Sequence, residues 1–163
     1  MGLLLKPVTR ANRAAVLALR IQKSQEGFVE TPARCLKEAF WCRLWHPVGI
    51  YDAETLIGFA MYGRFPWEGS GGRVWLDRFL IDEKHQGCGY GKHALHLLVA
   101  TLFDTYRCDE IFLSIYETNQ LAAHLYANLV LPIMASWICT KKKLWCCKKK
   151  PIFHVLARCN PGI

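Results

Sequence analysis

The chain has 163 residues, which is long enough for one domain with a sizeable core and too short for two domains of typical size. No apolar run approaches the roughly 20 residues of a transmembrane helix, and the apolar start over residues 2–5 is too short for a signal peptide. Eight cysteines without an export signal predict free thiols in the cytoplasm. Their spacing does not match zinc ligands, so no metal is expected.

The formal net charge of +8 lies almost entirely in the C-terminal tail. Residues 130–163 contain seven basic side chains and no acidic one, which leaves 14 basic and 13 acidic side chains in residues 1–129. A domain with a net charge of +1 gives no electrostatic reason to bind nucleic acid. We therefore expect neither nucleic acid nor a membrane as a partner of this domain.

Apolar periodicity predicts alternating strands and helices over the first 129 residues. The predicted elements are a strand over 3–8, helices over 9–21 and 33–44, a hairpin over 48–52 and 55–65, a strand beginning near 74, a helix from about 92, a strand over 110–116 and a helix over 119–129. Thr31 and Pro32 supply an N-cap and a first-turn proline for the second helix. This order predicts an α/β fold in which helices cover a sheet.

A strand, a glycine-rich turn and the start of a helix follow one another over residues 75–92. Glycines allow positive φ and close approach of a ligand to the main chain, and a helix N-terminus favours phosphate. The turn is not a Walker loop, since Lys92 is followed by His93, and its third glycine comes one position too early for G-x-G-x-x-G. It fits the pattern Gln-x-x-Gly-x-Gly, with Gln86, Gly89 and Gly91 at the fixed positions.

With an apolar strand before it and a leucine-patterned helix after it, this loop resembles the acetyl-CoA pyrophosphate loop of the GCN5-related N-acetyltransferases. A second family motif is present over residues 117–126, where Asn119 is followed at the family's spacing by alanine and by Leu125-Tyr126. The resemblance covers residues 1–129. It implies a mixed sheet with helices on both faces, a splayed central strand, and acetyl-CoA as the cosubstrate.

Within the family, the chain is most similar to the bacterial polyamine (spermine and spermidine) acetyltransferases. The similar stretches are residues 6–9, 47–51, 58–63 and 74–79. This likeness implies a primary amine as acceptor, a polyamine such as spermidine, with another small amine or a protein amine as alternatives. For a cationic acceptor we expect Glu26 and Glu30 to bind substrate, the alternative being simple solvent exposure. Dimers are common in the family, so a homodimer is a further expectation.

The resemblance also places the acetyl-CoA contacts. The central strand would pair its main chain with pantetheine around Phe79 and Ile81, and Asn119 either contacts pantetheine or caps a helix. The expected cofactor-binding residues are Phe79, Leu80, Ile81, Gln86, Gly87, Cys88, Gly89, Tyr90, Gly91, Lys92 and Asn119. Gln86 and His93 flank the loop within possible reach of phosphate.

Two residues are expected to carry the chemistry. Asp77 is the candidate general base, the alternative being a salt bridge to Arg73 or to Arg78; strand alternation argues against Arg78, because adjacent residues face opposite ways. Tyr126 matches the family's general acid, and the alternative is a core aromatic on an amphipathic helix.

After Leu129 the chain departs from the family, which continues with Gly-Phe and two closing strands. Residues 130–163 show no strand alternation and hold two lysine triplets and a Cys-Cys pair. Residues 129–150 can be encoded so that one inserted base yields LGFTDNGKLDLYEEKVMVLQKK, which restores Leu-Gly-Phe, a glycine turn and an alternating strand. We therefore predict an acetyltransferase domain over 1–129, incomplete at its C-terminal end, and a frameshifted basic tail over 130–163. The alternatives are a polybasic, palmitoylated membrane patch, a cysteine metal site, or a catalytically impaired protein that keeps the CoA fold.

Overall fold

The computed structural model describes residues 2–116, 118–127, 133–138 and 142–148. The elements are β1 (Leu3–Pro7), α1 (Arg13–Ala18), α2 (Pro32–Trp41), β2 (Trp45–Asp52), β3 (Thr55–Phe65), β4 (Arg73–Ile81), α3 (Tyr90–Tyr106), β5 (Glu110–Tyr116), α4 (Gln120–Ala127), β6 (Ile133–Ile138) and β7 (Lys142–Lys148). The predicted order of elements as far as α4 is confirmed. Helix α1 is shorter than predicted because the backbone turns extended at Leu19, with φ −58° and ψ 141°.

The described strands form one seven-stranded sheet in the order β1-β2-β3-β4-β5-β7-β6. The sheet is mixed, since β4 and β5 are parallel while the other neighbouring strands are antiparallel. Strands β4 and β5 pair only where Val74 faces Ile111 and Trp75 faces Phe112. Beyond this point the two strands separate, which confirms the expected splayed central strand and opens a wedge in the sheet.

Helices cover both faces of the sheet, as predicted. On one face α3 inserts Leu95, Leu98 and Leu102, all fully buried, into a core that includes Tyr126 of α4. On the other face α1 and α2 pack against β3 and β4, and this second core contains Val16, Cys35, Leu36, Phe59, Met61 and Leu80. Because both faces are buried, β3 is apolar along nearly its whole length instead of alternating.

The central strand β4 contains a β-bulge at Asp77. Met61 of β3 faces Arg78, and the next residue, Tyr62, faces Leu76, so Asp77 has no directly opposed residue on β3. An extra residue of this kind bends the strand and interrupts the alternation of its side chains. The bulge lies where β4 leaves β5, at the mouth of the wedge.

Two segments of the tail form strands, β6 and β7, although their sequences show no strand alternation. Strand β7 pairs with β5 over its whole length, from Glu110 opposite Lys148 to Tyr116 opposite Lys142, and β6 pairs with β7. These strands cannot be recognised from side-chain alternation, because they are held by main-chain hydrogen bonds. Without β7, the edge of β5 would present unpaired main-chain N–H and C=O groups. The rest of the predicted tail lies outside the described residues.

Within the described ranges, no helix combines the length and apolar character needed to cross a membrane.

Candidate active site

The wedge between β4 and β5 forms a cavity of about 740 Å³. Its walls come from the second half of β4, the glycine loop (residues 86–92), α4, and the acceptor-side segment (residues 22–30). The predicted site residues that line it are Glu30, Asp77, Phe79, Leu80, Ile81, Gln86, Gly87, Gly89, Gly91, Lys92, Asn119 and Tyr126. The structure therefore brings together all but three of the predicted residues, the exceptions being Glu26, Cys88 and Tyr90.

The glycine loop has the backbone geometry of an anion site. Gly87 and Gly89 adopt φ of +79° and +81°, which side-chain-bearing residues rarely adopt. Gly89 is the N-cap of α3, a helix of 17 residues, and no side chain caps its first turn. The first N–H groups of α3 and the positive end of its dipole are therefore available to an anion in the cavity.

Two predicted cofactor residues have other positions. Tyr90 donates from Oη to Asp52 Oδ2 at 2.6 Å, which fixes the first turn of α3 to the end of β2 and raises the pKa of the Tyr90 phenol. Cys88 is exposed, and neither side chain lines the cavity. His93 Nδ1 lies 3.0 Å from Gly89 O, so the imidazole supports the loop from within α3.

Gln86 connects the glycine loop to its surroundings. Its Nε2 donates to Ile81 O at 2.7 Å and to Gln25 Oε1 at 2.9 Å. Both amide hydrogens are therefore engaged by protein groups. The side chain joins the loop to the end of β4 and to the acceptor-side segment, and the expectation that its amide reaches phosphate is not supported by this geometry.

The opposite wall carries an ion cluster centred on Arg78, whose side chain is 14% exposed. Its guanidinium contacts the carboxylate of Asp77, and its Nε donates to Glu30 Oε2 at 2.7 Å. The argument from strand alternation against an Asp77–Arg78 contact is wrong, because the bulge at Asp77 lets neighbouring residues meet. Burial alone lowers the pKa of Arg78, but the Asp77 and Glu30 carboxylates raise it above its ordinary value.

Two members of this cluster were missed by the sequence analysis. Glu38 Oε2 lies 3.5 Å from Arg78 Nη2, and Arg34 lies 3.7 Å from both Glu30 and Glu38. The spacing of residues 30, 34 and 38 by four is the signal that could have found them, because Arg34 and Glu38 are neighbours on one face of α2 and Glu30 comes just before its N-cap. Glu26 is exposed and does not line the cavity.

Helix α4 presents two residues to the cavity. Asn119 Oδ1 accepts from Ala122 N at 3.1 Å, so the alternative that Asn119 caps the helix is confirmed, and the residue also lines the cavity. Tyr126 is 7% exposed, belongs to the core and lines the same cavity. The seven-residue spacing, about two helical turns, places both on one side of the helix, towards the cavity.

Over the part of the chain that the structure describes, no cluster of three or more His, Cys, Asp or Glu side chains could hold a metal ion. The titratable side chains that line the cavity include Asp77, Glu30 and Tyr126, and the glycine loop lies in the same wall system.

Comparisons with known proteins agree with this geometry. The model of the acetyltransferase (GNAT) family matches residues 15–129. The spermine/spermidine N(1)-acetyltransferase of Bacillus subtilis (strain 168) is 46% identical over 129 residues, covering 77% of this chain and 85% of the relative.

Solved structures share the fold at low sequence identity. The spermidine N-acetyltransferase of Vibrio cholerae, in complex with CoA and spermine, has a TM-score of 0.69 and 14% identity, over 90% of this chain and 95% of that one. The aminoglycoside N(6')acetyltransferase of Legionella pneumophila has a TM-score of 0.71 and 15% identity, over 90% and 91% of the two chains. Because the family model covers most of the chain and the curated relative is closely similar, the chain belongs to the acetyltransferase (GNAT) family.

Proposed function

We propose that the protein transfers an acetyl group from acetyl-CoA to a primary amine of a polyamine such as spermidine or spermine. The observation that carries this proposal is one cavity with an uncapped helix N-terminus in one wall and a cluster of three carboxylates and two guanidiniums near another. The first suits the pyrophosphate of acetyl-CoA, and the net negative charge of the second suits a cationic acceptor. The names of the Bacillus and Vibrio proteins support the same acceptor class.

The residues present fit acetyl-CoA. Main-chain N–H groups of the glycine loop would hold the pyrophosphate, while the edge of β4 around Phe79 and Ile81, which has left β5, would pair with the pantetheine amides. A ligand bound through the main chain leaves these side chains free to pack in the core. Acetyl-CoA supplies the activated acyl group, and the amine supplies the nucleophile.

The acceptor must lose a proton before it attacks. Since the pKa of an alkylammonium is about 10.4, forming the neutral amine at pH 7 costs roughly 4.6 kcal/mol. Asp77, at the mouth of the wedge, is the residue that we propose takes this proton, directly or through one water. The amine nitrogen then bonds to the acetyl carbonyl carbon.

The thiolate of CoA leaves as the carbon–sulfur bond breaks, and it requires a proton. Tyr126 lines the cavity on α4 and is the residue that we propose donates this proton from its hydroxyl. The nitrogen loses two protons in all: Asp77 takes the first before attack and releases it to solvent, and the second, lost once the carbon–nitrogen bond has formed, restores the Tyr126 hydroxyl whose proton the thiolate has taken. No acyl-enzyme is needed, which agrees with the position of Cys88 outside the cavity.

The test of this function is identification of the product. The chain is incubated with acetyl-CoA and separately with spermidine, spermine, a monoamine, an aminoglycoside and a lysine peptide, and the products are identified by mass spectrometry. Singly acetylated spermidine or spermine as the preferred product is the expected result. Preferred acetylation of the aminoglycoside or the peptide would overturn the polyamine assignment while leaving the reaction class intact.

We also propose that the tail after residue 129 results from one missing base. The family match ends at residue 129, although the sheet continues with β6 and β7. The sequence of β7 is KKLWCCK, which does not alternate between polar and apolar residues although the strand pairs with β5 over its whole length. Sequencing the gene across codons 126–150 should show an interrupted frame. An intact frame would reject this proposal and favour an impaired CoA-binding protein whose basic tail contacts a membrane or a partner.

A cytoplasmic location and a homodimer complete the proposal. Eight cysteines fit a reducing compartment. A homodimer is expected from the resemblance to the family, and light scattering would test it by comparing the solution mass with the 18.7 kDa of one chain.

A further inference from the structure

The ion cluster beside the cavity holds more positive charge than a site for a cationic substrate would need. Its three carboxylates, Glu30, Glu38 and Asp77, form what we call the carboxylate cluster, and all three lie against the guanidinium of Arg78. Arg78 reaches them because the bulge in β4 directs it towards the segment before α2. Arg78 therefore neutralises part of the negative charge that would attract a cationic substrate.

The charges can be counted by element. Strand β4 contributes Asp77 and Arg78, the segment before α2 contributes Glu30, and α2 contributes Arg34 and Glu38, giving a net charge of −1. Arg34 has a 68% exposed side chain, so solvent screens most of its effect. Arg78, at 14% exposure, therefore provides most of the compensation.

The remaining neighbours of Arg78 add no charge near neutral pH. Cys35 of α2 is fully buried, and burial raises the pKa of its thiol to about 12, so it stays protonated. Met61 faces Arg78 across the β3–β4 pair and is apolar. The charge at this wall is therefore set by the carboxylate cluster and its two arginines.

A polyamine acetyltransferase has opposing electrostatic requirements. Negative charge attracts the acceptor as an ammonium ion, but the same charge holds the proton that the reacting nitrogen must lose. With three uncompensated carboxylates the acceptor would bind tightly as an unreactive cation.

We propose that Arg78 is a positioning residue that limits the negative charge at the acceptor wall, so that a polyamine is attracted as a cation but its reacting nitrogen is deprotonated near neutral pH. This inference rests on the proposed function and adds to it a residue that sets the pH range of the reaction. Arg78 does not touch the reacting atoms; it acts by holding Glu30 and Asp77 and by compensating their charge.

The test compares the native chain with Arg78→Met in assays of spermidine acetylation across pH. The rate at saturating substrate, kcat, reports groups in the bound complex, whereas kcat/KM reports the free enzyme and free amine. In Arg78→Met we expect the ascending limb of kcat, where the rate rises as the bound amine loses its proton, to move up by about one pH unit or more, so that kcat near neutral pH falls about tenfold. KM for spermidine should fall, while the amine-dependent limb of kcat/KM stays in place.

Three further variants separate charge from structure. Arg78→Lys keeps the charge and should leave the limb near its native position. The double variant Arg78→Met with Glu38→Gln restores the net charge to −1 and should move the limb back. Arg13→Met removes an exposed arginine that lines another part of the surface and should behave as the native chain does.

The affinity for spermidine, measured by calorimetric titration, tests the inference without depending on turnover. Arg78→Met should bind spermidine more tightly than the native chain, with a steeper dependence on salt. A folded Arg78→Met variant with an unmoved kcat limb and unchanged spermidine affinity would overturn the inference, as would a double variant that fails to restore the limb. If the native chain binds spermidine but acetylates no amine, the proposed function fails while the binding comparison still tests the role of Arg78.

Discussion

The Nε2 atom of Gln86 in the glycine loop donates to Gln25 Oε1 in the acceptor-side segment at 2.9 Å. The same atom donates to Ile81 O, at the end of β4, at 2.7 Å. One side chain therefore joins the loop proposed to hold pyrophosphate to the strand proposed to hold pantetheine and to the segment that faces the amine. Binding of either substrate at such a junction is expected to affect binding of the other.

Replacing Gln86 by Leu removes both hydrogen bonds. Each is worth about 0.5–1.5 kcal/mol, so if the loss falls on the bound state we expect acetyl-CoA to bind roughly 5- to 150-fold more weakly. Gln25→Leu is the matched control, since it removes one of the two bonds, and it should weaken acetyl-CoA binding less. Calorimetric titration of both variants measures the difference, and equal affinity in the native chain and both variants would exclude the proposed junction.

Replacing Tyr126 by Phe removes the proposed general acid and keeps the ring in the core. We expect kcat to fall by about 10²–10⁴-fold, while the affinity for acetyl-CoA changes little. Steady-state kinetics and a separate binding titration measure the two effects. A kcat equal to that of the native chain would remove Tyr126 from the mechanism.

Gly58 of β3 lies where the main chain of β4 approaches closely. A Cβ atom at this position would be 2.5 Å from Leu80 O and 3.0 Å from Ile81 Cδ1, so Gly58→Ala must displace β4. We expect a loss of about 1–3 kcal/mol in the free energy of unfolding and weaker acetyl-CoA binding. Gly71→Ala is the control, because a Cβ atom there meets nothing within 4 Å. Urea denaturation should separate the two variants, and equal stabilities would show that β3 and β4 can move apart freely.

Stability should fall in strongly alkaline solution because of Cys35. Burial raises the pKa of its thiol from 9.0 to about 12, so above pH 9 the unfolded chain loses a proton that the folded chain keeps. The unfolded state then binds fewer protons, and the free energy of unfolding declines with a slope of up to about 1.4 kcal/mol per pH unit. Tyr106, with a pKa raised from 10.0 to about 12, adds to this slope.

Urea denaturation as a function of pH measures that slope. Cys35→Ala should reduce it, whereas Cys88→Ala, which removes an exposed cysteine, should leave it unchanged. A slope that is the same in all three chains would show that Cys35 ionises equally in the folded and unfolded states.

The parts of the site that follow from local sequence could be predicted. Periodicity identified β4 and α3, and the glycine pattern located the loop that lines the cavity, because both depend on residues close together in the chain. The contact between Asp77 and Arg78 could not be predicted from the strand itself, since the bulge depends on register with Met61 and Tyr62 of β3. The bond from Gln86 to a residue 61 positions away is equally non-local.

The strands of the tail also depend on residues that are distant in the chain. Side-chain alternation gave no strands after Leu129, yet β7 pairs with the exposed edge of β5 through its main chain. Strand pairing of this kind depends on the neighbouring strand more than on the paired sequence.

The measurement that tests the central claim most directly is the release of CoA thiol from acetyl-CoA in the presence of spermidine. It should be made with the present chain and with a chain in which the single base near codon 129 is restored. Spermidine-dependent release by at least the restored chain is the result that this account predicts. Binding of acetyl-CoA by both chains without release in the presence of any polyamine would contradict it.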